Sequence, residues 1–161
     1  VNWFRSWRAD PVVRTLADRH YSRKTVGASQ FSPPGRNLTL RTLAGDAAWV
    51  TSWPLPEYVD HRWGDCWTCT LFRNEGAVLS SELITEAEAA TAAQFGEAPA
   101  GGFLTFVDEK KVESENPGYC FLMAGWRKIG RTKDRNLLVL HHDRQEIPLP
   151  AQALEFQGSL L

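Results

Sequence analysis

The sequence has few of the groups that cross-link a small fold. It contains three cysteines, Cys66, Cys69 and Cys120, an odd number that does not close a disulfide framework and points to free thiols in a reducing compartment. No apolar run reaches the ~18 residues that a membrane-spanning helix needs. The first residues, VNWFRSWRADP, lack the unbroken apolar core of a secretory signal. These absences lead to the expectation of a cytoplasmic protein with no membrane partner. Charge of one sign is lacking too: 18 Lys and Arg stand against 19 Asp and Glu, a net −1, unlike the strongly basic balance of a dedicated nucleic-acid binder. Internal repeats, low-complexity segments and interdomain linkers are missing.

What the chain has is apolar mass. Its 161 residues are 43% hydrophobic and include seven Trp and eight Phe, enough to bury a core without disulfides or metal. At 23% charged residues the composition is that of a globular protein rather than a disordered one. One domain over 1–161 is expected, with its core over about 10–140 and a tail over 141–161 that shows no period. Charge is unevenly placed. Residues 1–45 hold eight Arg or Lys against Asp10 and Asp18 alone, and a second basic cluster comprises Arg127, Lys128, Arg131, Lys133 and Arg135. Two such segments meeting on one face would hold a polyanion; the alternative is a scatter of solvated charges.

Asp10 before Pro11 reads as a helix start, because Asp accepts from the free N–H groups of a first turn and Pro needs no donor there. Val12, Val13, Leu16 and Ala17 follow at helical spacing and predict a helix from Pro11 to about Arg19. Residues 22–37, with Gly27 and Pro33-Pro34-Gly35, read as a loop. Leu38 to Leu43 alternates with period two, Ala44-Gly45-Asp46 turns, and Ala47 to Trp53 completes a β-hairpin. Cys66 to Phe72 reads as a central strand. Ser80 and Ser81 cap a helix running to about Phe95, with Leu83, Ile84, Ala87, Thr91 and Phe95 on its buried face and Glu82, Glu86 and Glu88 elsewhere. Gly102 to Val107 is a buried strand. Asn116 as cap, Pro117 in the first helical position and Gly125 at the stop mark a short helix. Trp126 to Thr132 and Asn136 to Leu140 close the domain as strands. The fold class is α/β (α+β): one central mixed sheet of about six strands, flanked by helices.

Several residues carry chemistry on their own account. Arg73 sits at the mouth of a strand, where a guanidinium needs a partner, either a ligand phosphate or Asp108. Asp108 ends a strand on the side where α/β folds hold ligands, although Asp108-Glu109-Lys110-Lys111 also reads as a solvated turn. His20 and Tyr21 end the first helix, where His⁺ suits the dipole, and Tyr119 has a core reading beside a functional one. Phe31, Trp53 and Trp63 are candidates to stack on a base. Cys66-x-x-Cys69 near His61 is not read as zinc, since strand residues three apart point to opposite faces and the adjacent His141 and His142 also diverge.

The element order is similar to the GNAT acyltransferase fold over about residues 10–140. In that family a loop of the form Arg/Gln-x-x-Gly-x-Gly/Ala cradles the coenzyme A pyrophosphate at the start of the central helix; here it reads Arg73-Asn74-Glu75-Gly76-Ala77-Val78. Val78 replaces the second small residue, where its side chain would crowd a phosphate, and Phe121 stands where the family has its proton-donating tyrosine. Within the superfamily the chain resembles the bacteriophage Mom proteins, which modify adenine in DNA to a carbamoylmethyl form. The matching pieces are His20-Tyr21-Ser22, Arg73, Phe106-Val107-Asp108, and Tyr119 ahead of Gly125-Trp126.

The resemblance implies a transferase with His20, Tyr21, Asp108 and Tyr119 catalytic, and with Ser22, Arg73, Gly76, Ser80, Ser81, Ser114 and Asn116 holding donor or substrate. It implies double-stranded DNA as partner and a phage anti-restriction role. Acetyl coenzyme A is the donor that the wider family implies, and iron held by His20 and Asp108 is a further reading. A coenzyme A-dependent N-acetyltransferase acting on a small amine or protein is the alternative function, and a non-catalytic binding module is a third. Oligomeric state stays open, a homodimer included.

Overall fold

The first helix begins as its sequence dictates. Asp10 Oδ1 accepts from the Val12 N–H at 3.0 Å, Oδ2 accepts from the Ser6 hydroxyl at 2.7 Å, and Arg41 pairs with the same carboxylate at 3.0 Å. Those partners let the carboxylate sit only 3% exposed without an orphaned charge. The computed structural model describes residues 2–19, 35–59, 61–111 and 118–150. Its elements are β1 (Trp3–Arg5), α1 (Pro11–Asp18), β2 (Gly35–Thr42), β3 (Ala47–Pro54), β4 (Trp67–Asn74), α2 (Ser80–Phe95), β5 (Phe103–Val107), α3 (Tyr119–Met123), β6 (Arg127–Arg131) and β7 (Leu138–His142), with 3₁₀ turns at Pro56–Tyr58 and Arg144–Glu146.

The class is α+β: seven strands form one mixed sheet in the order β1-β2-β3-β4-β5-β7-β6. Every neighbouring pair is antiparallel except β4 with β5. On one face lies α2, over a core that includes Trp3, Trp49, Trp67, Phe103, Phe121 and Trp126. On the other, α1 brings Val13, Leu16 and Ala17 against Ala48, Val50 and Leu71, and the 61–66 segment covers Leu104 and Val139. Burial of each large apolar side chain contributes roughly 1.5–3 kcal/mol. No helix among the described residues is long and apolar enough to cross a membrane.

Several expectations need correcting. The sheet has seven strands rather than about six, because Trp3–Arg5 pairs with Leu40–Thr42 of β2; three residues are too few to display a period. Strand β2 starts at Gly35, inside the segment expected to be loop, since its edge pairs with Trp53 and Pro54 of β3. Ser80 and Ser81 do not cap α2: Leu79 holds the cap position without a side-chain hydrogen bond, and both serines are already helical. Helix α3 begins at Tyr119 after Gly118, whose φ of 79° is left-handed, so Pro117 is not its first residue; Asn116 and Pro117 lie outside the described residues. The last strand continues past Leu140 to His142, taking His141 and His142 out of the expected tail.

Glu88 departs furthest from expectation. It is fully buried, not on an outer face of α2. One carboxylate oxygen, Oε1, makes a short hydrogen bond with His142 Nδ1, and the His142 ring stacks on Trp126 with centroids 5.7 Å apart. Burial pushes the Glu88 carboxyl up, against the opposing pull of His142. Glu88 Oε2 and Trp126 Nε1 have no hydrogen-bond partner of good geometry, although the indole N–H still favours the ionised carboxyl from beside it.

Candidate functional site

Among the described residues the sheet has one parallel pair, which is also its shortest central ladder. β4 and β5 are matched only over Trp67, Thr68 and Cys69 against Phe103, Leu104 and Thr105. Beyond that point β4 continues five residues to Asn74 beside β3 alone, while β5 runs on beside β7. The Cys69 carbonyl at the parting accepts instead from the Thr105 hydroxyl at 3.1 Å. A parallel pair that separates toward its carboxyl ends leaves a cleft between strand ends, the place where open α/β sheets hold ligands. Arg73 lies at the end of β4, Asp108 directly follows β5, and α2 and α3 start at the same end.

A β-bulge aims Arg73. Leu71 faces Val50 and Cys69 faces Thr51, so Thr70 is an extra residue with no counterpart on β3. Before it, Trp67 and Cys69 point to the α2 face; after it, Leu71 points to the α1 face. The extra residue therefore turns Arg73 toward α1 as well. There its Nε donates to Glu75 at 2.8 Å and its NH1 donates to the Arg19 carbonyl at 2.9 Å. Arg19 grips the same carboxylate in a fork, at 2.7 and 2.8 Å. Two guanidinium groups hold the Glu75 carboxyl down at about 2. The expected partner Asp108 is not the one used: Glu75, two residues along the chain, reaches Arg73 first.

Asp108 forms the turn that was its alternative reading, its Oδ1 accepting from the Lys110 N–H at 3.1 Å. That bond fixes the carboxylate and leaves Oδ2 without a partner among the described residues. Tyr119 is 54% exposed, so it is not a core residue. No hydrogen bond or ion pair joins Arg73, Asp108 and Tyr119. Ser80 accepts from Asn74 Nδ2 at 3.0 Å. Ser81 lines a shallow depression with Asn2, Glu82, Thr85, Glu86 and Met123. His20, Tyr21, Ser22, Phe31, Ser114 and Asn116 lie outside the described residues.

The residues of the 73–78 loop do not fit a pyrophosphate. The Gly76 N–H donates to the Asn74 side chain at 2.9 Å, and the Glu75 N–H donates to the Asp46 carbonyl at 2.7 Å. The Asp46 carboxylate lies so close to Gly76 that even a Cβ there would collide with it, and a phosphate would meet like charge. Val78 is not the obstacle that the sequence suggested, because it packs inward against the core. For iron, the described residues supply Asp108 alone, and among them no group of three or more His, Cys, Asp or Glu side chains is arranged to hold a metal.

Cys66 and Cys69 do face opposite layers. Burial pushes the Cys66 thiol up to about 11 and the Cys69 thiol well above its ordinary value, so neither is an activated nucleophile. The stacking candidates are engaged elsewhere. Trp53 donates to Asp65 and lies under Arg36, 4.1 Å away, at the opposite end of β3 from the strand pair Ala47 and Asn74. Trp63 packs on Phe106 beneath Arg62.

Among the described residues the two basic segments do not converge either. β1 and β2 lie at one edge of the sheet and β6 at the other, roughly 29 Å apart at about 4.8 Å per strand. Among the described residues of the early segment, Arg19 meets Arg73 through Glu75, and Arg41, level with Arg73 across β3, is held by Asp10. Sequence reasoning missed Glu75 and Asp46, which close on the candidate site; the spacing Arg73-x-Glu75 at a strand end was the one available signal. Compared with known proteins, the chain matches no family model, no curated protein and no solved structure.

Proposed function

We propose that the chain is a Mom-like transferase of GNAT type that modifies the exocyclic amine of adenine in DNA, in a phage anti-restriction role. The observation that carries this reading is the parting of β4 from β5, with Arg73 at the end of β4, Asp108 just past β5 and Tyr119 at the start of α3. The filled Gly76 loop favours a donor other than acetyl coenzyme A. It therefore supports the DNA-modifying reading over coenzyme A-dependent acetylation.

An adenine N6 conjugated into its ring is a weak nucleophile and is unreachable inside a stacked duplex, so the base is extruded first. In the proposed step, N6 attacks an electrophilic carbon of the donor. The new N–C bond forms as the bond to the leaving group breaks. Asp108, fixed through Oδ1, takes the amine proton on Oδ2, and the exposed Tyr119 phenol donates its proton to the departing anion. Arg73, released from Glu75, holds the donor's negative group through a fork.

Coexpression with a plasmid, digestion of the DNA to nucleosides and mass spectrometry tests this directly. The expected result is an adenosine species heavier by the transferred group. Unmodified adenosine in cells that contain the folded protein overturns the proposal.

A further inference from the structure

The cations of this chain fall into two populations. Arg19 and Arg73 are engaged by Glu75, Arg41 by Asp10, and Arg36 lies flat over Trp53. Around the β6 edge Arg127 is paired with Glu146 and Arg131 with Glu109, and the remaining cations are not paired among the described residues. Lys110 and Lys111 follow Asp108, Lys133 and Arg135 occupy the turn between β6 and β7, and Lys128 lies on β6; all five are exposed, and their side chains make no hydrogen bond or ion pair among the described residues. The bond from Arg131 to Glu109 ties the two turns into one corner. Residues 127–136 contain five cations and one acid, Asp134, in a chain of net charge −1.

Edge protection explains only part of this. A lysine on an edge strand blocks strand addition, which accounts for Lys128. Lys110, Lys111, Lys133 and Arg135 are in turns, off the edge ladder, at the same end of the sheet as the cleft. Lysines left unpaired around a candidate site concentrate positive potential where a polyanion would be drawn in.

We infer that this corner is the surface on which the chain grips the phosphates of duplex DNA, beside Asp108; the inference rests on the function proposed above. The five steps from Lys128 to Lys133 span roughly 16 Å at about 3.3 Å per residue. One DNA strand carries a phosphate per ~3.4 Å of axis, so about four or five phosphates pass along that length, comparable to the number of unpaired cations.

The test is filter binding of a short DNA duplex by the full chain between about 50 and about 200 mM salt. Each phosphate contact adds about 0.9 to the slope of log affinity against log salt. The pairs Lys110→Ala with Lys111→Ala, and Lys133→Ala with Arg135→Ala, should each lower that slope by roughly 1.8, which shrinks the loss of affinity over that range by about 12-fold. Arg5→Ala with Arg36→Ala, at the opposite edge, should leave it unchanged. An unchanged slope in the corner variants, an equal fall in the control, or no binding by the parent overturns the inference. Its failure is separable from that of the modification reading. Modified adenosine with an unchanged slope sinks the surface alone; a slope lowered as expected with unmodified adenosine sinks the modification alone.

Discussion

Glu88→Ala should destabilise the protein severely while lying far from any chemistry. The substitution leaves His142 Nδ1 without its acceptor in a place where the His142 residue is 5% exposed and Glu88 was 0% exposed. Removing one member of a buried, hydrogen-bonded pair costs about 3–5 kcal/mol. In a chain of this size each kcal/mol lowers Tm by about 2–4 °C, so the fall should be about 6–20 °C. Replacing both members by apolar groups of similar volume, Glu88→Leu with His142→Phe, should be neutral or stabilising by about 1–4 kcal/mol, because neither half of the pair is left without the other.

The sign of the pH dependence follows from the direction of the shift. Burial raises the folded carboxyl above its ordinary value near 4.5, so the stability linked to its proton is full below that value and is lost as pH rises through the raised one. Glu88→Gln keeps the acceptor for His142 and removes the titration, so its stability should fall less than the parent's across that window. Urea unfolding followed by tryptophan fluorescence measures all of this. An Ala variant within about 1 kcal/mol of the parent, or a double variant no better than Glu88→Ala, refutes the reasoning.

Asp108→Asn, Tyr119→Phe and Arg73→Ala should each lower DNA modification by roughly 10²–10⁴-fold, with melting temperatures nearly unchanged because the three side chains are at least partly exposed. Early melting with activity proportional to folded protein would make them scaffold. Acetyl coenzyme A should bind no tighter than about millimolar, around −4 kcal/mol by calorimetry, and a micromolar constant would show that the Gly76 loop opens to admit it. With the thiol held up to about 11, roughly one Cys66 in a thousand is thiolate at about pH 8. A chromogenic disulfide reagent should therefore reach it only on unfolding, and rapid labelling of the native protein would contradict the burial.

Local signals were legible in the sequence, and partnerships across the fold were not. Asp10-Pro11 announced α1 because capping acts between neighbours, and the hairpin of β2 and β3 announced itself by alternation around Ala44-Gly45-Asp46. Glu88 was assigned outward because the face of a helix is judged by its own sequence. The residues that bury it arrive more than thirty positions later, Trp126 just ahead of β6 and His142 at the end of β7. For the site, Arg73 and Asp108 were correctly assigned to strand ends, and the structure adds that these ends belong to one parted pair. Their partners were misread, since a sequence does not reveal that Glu75 folds back on Arg73 or that Asp46, from the neighbouring turn, lies against Gly76.

Thr70 has a consequence for recognising kin of this chain. Before it, the positions facing α2 are Trp67 and Cys69, two apart; after it the next such position is Phe72, three apart. Flattening the bulge at constant length would carry the Arg73 charge into the layer of tryptophans under α2, whereas deleting Thr70 would restore strict alternation and leave Arg73 facing α1. What is held is the face of the arginine, which couples the length of the strand to its apolar parity. A distant relative that shares no residue with β4 should either break its apolar parity once ahead of the arginine, as here, or be one residue shorter and alternate throughout.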